Sequence, residues 1–133
     1  MGLIVLDAGV IIGILDAGDP HHAHARKVLA EAVGNAAELV LPASAYAEIL
    51  AGAFTAGTAA AATVDEFVDA LPARIQSVTR EIARSAGRLR AEHGTRVRLP
   101  DALVIATAMV LKADRLLTTD ARWPRVPVEV TIV

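Results

Sequence analysis

Apolar positions fall in short blocks along the chain, and their spacing separates strands from helices. Leu3 to Leu6 is a continuous apolar run ended by Asp7, as expected of a strand covered on both faces in a parallel sheet. Ala8 to Leu15 continues as one or two apolar helical turns, broken by Asp16 to Pro20. From about His21 to Val33, the residues Ala25, Val28, Leu29 and Ala32 share a helical face, with Arg26, Lys27 and Glu31 elsewhere, which predicts an amphipathic cover. Leu39 to Leu41 reads as a second strand stopped by Pro42. Ser44 is then placed to cap a helix running to about Phe54, with Glu48 roughly one turn inside it. Gly52 and Gly57 bracket a break before an Ala-rich helix from about Thr58 to Leu71. Arg74 to Val78 is a weaker strand candidate, and Thr79 to about Glu92 predicts a helix with Ile82, Ala86 and Leu89 inward.

The stretch from Leu99 to Asp120 organises the rest. Pro100 suits a first helical position, and Asp101 sits in the first turn, where the helix dipole favours an anion. From Ala102 to Leu111 only Thr107 is polar, so this helix should be buried on every side. A turn at Ala113 and Asp114 leads into a short core strand, Arg115 to Thr119, ending at Asp120. Thirteen helical residues descend roughly 20 Å at about 1.5 Å each, and five strand residues return roughly 17 Å at about 3.3 Å each. Asp120 is thereby brought back to the end where Asp101 began. If the helix before it also descends, His93 to Leu99 must climb back, and seven extended residues span about 23 Å. Pro127 to Val133 alternates loosely and predicts an edge strand.

These elements define an α/β/α sandwich on a mostly parallel central sheet, a single domain over residues 1–133. No apolar run reaches the roughly 18 residues of a membrane span, and the N-terminus lacks the basic region and cleavage site of a signal peptide. A cytoplasmic protein is expected. The absence of cysteine excludes disulfides, thiolate metal sites and thiol nucleophiles. A net charge of -2 gives no global attraction to nucleic acid, so any such binding needs a local basic patch. Residues 74–98 supply one candidate: seven arginines against Glu81 and Glu92, with Arg80, Arg84 and Arg88 in one column at i, i+4, i+8. Arginine clusters pair well with phosphate oxygens, although a column of this kind is also an ordinary solvated face. His21, His22 and His24 have no further ligand at suitable spacing and read as solvated residues at a helix start.

Of the 15 acids, Asp7, Glu48, Asp101 and Asp120 fall at strand carboxyl ends or early helical turns, where ligands bind in open α/β sheets. Four converging carboxylates would repel one another as a bare group. A divalent cation resolves the conflict, because Mg²⁺ and Mn²⁺ prefer oxygen ligands and Mg²⁺ typically shares its shell with substrate phosphate. Either one or two such ions would serve phosphodiester hydrolysis.

The motifs LIVLD at the start, AEIL around Glu48, LPDALVIATA, and LLTTD before the last strand resemble, in that order, those of PIN-domain ribonucleases. The likeness covers nearly the whole chain and is greatest to the VapC-type toxins of bacterial toxin–antitoxin pairs. The resemblance implies that Asp7, Glu48, Asp101 and Asp120 form the catalytic, Mg²⁺- or Mn²⁺-binding site, and that Thr118 matches the family's frequent Thr two residues before the last acid. It also implies a metal-dependent endoribonuclease acting on structured RNA such as tRNA or rRNA, a homodimer, and an antitoxin partner that blocks the site. Many members carry Ser, Thr or Asn just after the first Asp, where this chain has Ala8 and Gly9, removing a hydrogen bond that would support the metal site. Two readings stand beside this one. A receiver-like signalling domain is disfavoured because such domains pair two acids after the first strand and carry a late lysine, whereas here the last lysine is Lys112. A PIN-like scaffold that binds RNA or protein without cutting also fits the four acids.

Overall fold

The computed structural model describes residues 2–133. Five strands form one sheet: β1 (Leu3–Leu6), β2 (Glu38–Pro42), β3 (Ala73–Gln76), β4 (Arg115–Thr118) and β5 (Val130–Ile132). Their spatial order is β3-β2-β1-β4-β5, and every pairing is parallel. The three central strands carry Val5, Leu6, Val40, Leu41, Leu116 and Leu117 at zero exposure, which explains their unbroken apolar runs. Helices cover the two faces: α1 (Ala8–Leu15), α2 (His22–Gly34), α3 (Ala43–Ala56), α4 (Thr58–Ala70), α5 (Arg80–His93) and α6 (Leu99–Val110). Among the described residues, no helix is long and apolar enough to cross a membrane.

β1 and β4 are adjacent with Leu6 opposite Leu117, and the Asp7 N–H extends the ladder to the Leu117 carbonyl at 2.9 Å. Asp7 therefore leaves the sheet beside Thr118. Helix α6 is the buried element expected, with Ala102 and Val104 to Ala108 all buried. Thr107, the lone polar residue there, returns its hydroxyl to the Leu103 carbonyl at 2.7 Å.

Two local expectations are corrected. Ser44 does not cap α3: the helix already begins at Ala43, after Pro42 in extended conformation. Pro42 is the last residue of β2, paired with Gln76, and its fixed φ carries the strand straight into the helix. The chain between α5 and α6 does not climb as an extended segment either. It is a 3-10 turn, Gly94–Arg96, followed by Val97 and Arg98. Such a turn advances only about 2 Å per residue, so α5 and α6 form a helical hairpin and α5 itself reaches the edge where α6 starts. Thr79 opens α5 as a true cap, accepting the Ile82 N–H at 3.1 Å.

Candidate active site

The acids singled out in the sequence meet at the carboxyl edge of the sheet, where the ends of β1 and β4 face the starts of α3 and α6. Asp7 is the N-cap of α1 and is only 7% exposed. Its Oδ1 accepts the Ala8 N–H at 2.8 Å, and its Oδ2 accepts the Thr118 hydroxyl at 2.7 Å. The same Thr118 Oγ1 accepts the Asp120 N–H at 3.1 Å. Thr118 is fully buried and ties the first and last acids together, which is the physical content of the Thr-x-Asp spacing.

Burial pushes the Asp7 carboxyl up to about 6, and the negative charges of Asp101 and Glu48 add to the rise. The hydrogen bonds from Thr118 and Ala8 oppose it without cancelling it. Asp101 is also raised, first by burial and then by Asp120, while Arg98, Trp123 and Arg122 pull the other way. At Asp120 burial acts upward, but the hydrogen bonds and charge of Arg122 and the charge of Arg98 outweigh it, so its carboxyl is lowered. Arg122 holds it through Nε to Oδ1 at 3.2 Å and through the backbone N–H at 2.9 Å. Asp7, Glu48, Asp101 and Asp120 are thus linked in a chain of like-charge repulsion.

Glu48 is exposed and stands at the margin of this group. Among the described residues, no three such side chains approach closely enough to hold an ion as they stand. The donor set nevertheless suits a hard divalent cation: it is all carboxylate oxygen, and Asp7 carries charge in a place that disfavours it. Arg122, with an 89% exposed side chain, is free to leave Asp120 and make room. The buried indole N–H of Trp123 has no hydrogen-bond partner of normal geometry, yet it lies near enough to Asp101 to favour its charged form. A further buried orphan, Ser44 Oγ, is one helical turn before Glu48 on α3.

A cleft of about 380 Å³ opens over Asp101 and Asp120, lined also by Thr95, Arg96, Arg98, Arg122 and Trp123. These arginines are the cations of the site. The Arg80, Arg84 and Arg88 column is elsewhere. Arg84 and Arg88 line a different groove of about 720 Å³ with Met109, Val110 and Lys112, at the far end of α6. Eight residues of helix separate Asp101 from Met109, about 12 Å at 1.5 Å per residue. Arg96 and Arg98 belong to the basic stretch 74–98, but the sequence singles out the Arg80, Arg84 and Arg88 column within it, and it does not point to Arg122 or Trp123. The signal for Arg98 and Arg122 was available, since each is within three residues of an acid of the site.

The departure at Ala8 and Gly9 has a structural counterpart. A Cβ built on Gly9 would lie 2.2 Å from Thr119 Oγ1. Thr119 fills the space beside Gly9, so a side chain at position 9 would have to displace it.

The chain belongs to the PIN-domain family, whose model matches residues 4–129. A search of curated proteins gave no match. Among solved structures, it is similar to VapBC-5, a member of the VapBC family of toxin–antitoxin systems from Mycobacterium tuberculosis, at 25% identity and TM-score 0.67 over 100% of both chains. It also shares its fold with VapBC2 from Rickettsia felis, bound to a DNA fragment from their promoter. That match has 15% identity and TM-score 0.76, with 98% of each chain covered. VapC20 from M. tuberculosis, a toxin that cleaves the sarcin-ricin loop, matches at 17% identity and TM-score 0.73, over 85% of this chain and 86% of that one. The architecture is that of the VapC PIN toxins.

Proposed function

We propose that this protein is a Mg²⁺- or Mn²⁺-dependent endoribonuclease, the toxin of a toxin–antitoxin pair, cutting structured RNA such as tRNA or rRNA in the cytoplasm. The observation that carries the reading is Asp7: a carboxylate buried at a strand end, raised to about 6 by burial and by the charges of Asp101 and Glu48, stands where a cation would relieve the repulsion. Asp7, Asp101 and Asp120 would hold the ion, with Glu48 joining from α3. A cation there supplies Lewis-acid stabilisation of the charge that develops at phosphorus. Thr118 ties the Asp7 carboxylate to the Asp120 backbone, Asp101 and Asp120 face the cleft, and Arg96, Arg98 and Arg122 bind the flanking phosphates.

The partner reading rests on surface. Ile12 and Leu15 of α1 and Phe54 of α3 stay 40%, 37% and 58% exposed, on two helices that pack against each other. This apolar face suits an antitoxin helix, and an Arg or Lys delivered from it to the acids would satisfy the charge a cation otherwise neutralises. The relatives named above include a member of the VapBC family of toxin–antitoxin systems, and a homodimer is part of the same proposal. The test is expression of the chain alone and with the product of its neighbouring small reading frame, followed by growth measurement and mapping of RNA ends. Growth arrest with cuts at a discrete site, relieved by the partner, is expected. Harmless expression with intact RNA would return the chain to the non-cutting scaffold.

A further inference from the structure

A second cavity of about 290 Å³ adjoins the acidic cleft and shares Asp120 and Trp123 with it. Its far wall is apolar, made by Pro124 and by Val128, Val130 and Ile132, which alternate along the last strand and its approach so that one face points inward. Arg125 stands at its border. Trp123 separates the two spaces, with its indole N–H buried and unpartnered beside Asp101.

This arrangement matches one nucleotide better than it matches a peptide or a lipid. The cleft side offers arginines for phosphate, and the adjoining cavity offers an aromatic wall and aliphatic packing for a flat ring. Sequence-specific RNA recognition works on unpaired bases that are splayed out and stacked on aromatic side chains. We propose that this cavity receives the unpaired base of a nucleotide next to the scissile phosphate, an inference that rests on the nuclease reading above. Trp123 then packs its ring against the base, while its buried N–H stays on the cleft side beside Asp101. Selection of the cut site follows from which base is free to enter.

Trp123 is the only tryptophan of the chain, so its fluorescence reports the cavity directly. The intact protein is titrated in EDTA, which suppresses cutting, with RNA trinucleotides and with versions lacking the base at each position in turn. Inorganic phosphate serves as the control. Stacking of one base is worth roughly tenfold in affinity, so quenching is expected with the trinucleotides and about tenfold weaker binding when one particular base is missing. Equal quenching by every abasic version, or by phosphate alone, overturns the base cavity, as does absence of quenching by any RNA. Cleavage of the same RNAs with Mg²⁺ is scored separately. Cutting without base dependence defeats only this inference, whereas base-dependent quenching without any cutting defeats only the nuclease reading.

Discussion

Asp7→Asn should stabilise the metal-free protein, and by an amount that depends on pH. The folded state holds the Asp7 carboxyl at about 6 against an ordinary value of 3.8, a cost of ~3 kcal/mol at about 1.4 kcal/mol per pKa unit. Below about pH 4 the carboxyl is protonated in both states and costs nothing. Between about pH 4 and 6 the unfolded chain loses this proton while the folded chain keeps it, so stability falls as pH rises, and the full cost is present above about pH 6. Asparagine removes the charge while keeping the shape. Its Oδ1 can still accept the Ala8 N–H and its Nδ2 can donate to the Thr118 oxygen, but the Thr118 hydroxyl proton loses its acceptor, which offsets part of the gain. Thermal unfolding in EDTA should show a gain of about 1–3 kcal/mol near pH 7.5, roughly 4 °C per kcal/mol for a domain of this size, shrinking towards zero near pH 4. Adding Mg²⁺ should narrow the gap, because only the wild type binds it tightly. A variant no more stable than wild type near pH 7.5, or one whose gain is the same near pH 4, would refute this account of Asp7.

Thr118→Val removes the hydroxyl shared by Asp7 and the Asp120 N–H. It should cost about 1–3 kcal/mol in urea denaturation, since both partners are left unsatisfied. Gly9→Ala places a methyl against Thr119 Oγ1 and should destabilise by about 1–3 kcal/mol. Combining it with Thr119→Ala should recover most of the loss, and a purely additive double mutant would show that the two residues do not compete for one space. Replacing Arg96, Arg98 and Arg122 with Gln should flatten the salt dependence of RNA binding by about 0.7 per lost phosphate contact. The same change at Arg80, Arg84 and Arg88 should leave the slope nearly unaltered, and the opposite pattern would move the RNA to the groove at the far end of α6.

The fold was legible because burial on both faces leaves unbroken apolar runs: Leu3–Leu6 and the stretch around Leu116 could hardly be anything but central strands. The return of Asp120 towards Asp101 followed from helix and strand rise alone. Less legible were features set by contacts between distant segments. Pro42 joins the strand because Gln76 pairs with it, which local propensity does not register. The hairpin of α5 and α6 turns on Gly94, whose φ of 58° permits the tight exit. Helical periodicity alone leaves the direction of α5 open, so it brings out the regular column of Arg80, Arg84 and Arg88 but not the nearness of Arg96 and Arg98 to the acids. Trp123 and Thr119 were invisible for a similar reason, since each matters through what it meets across the sheet edge.

Cleavage of a defined structured RNA by the purified chain, with Mg²⁺ or Mn²⁺ and then with EDTA, tests the central claim most directly when Asp101→Asn is run beside the wild type. The account predicts cutting at a discrete position, its abolition by EDTA, its return when the cation is restored, and a loss of orders of magnitude in the variant with an unchanged circular dichroism spectrum. Cleavage that survives EDTA, or an Asp101→Asn protein as active as wild type, would contradict it.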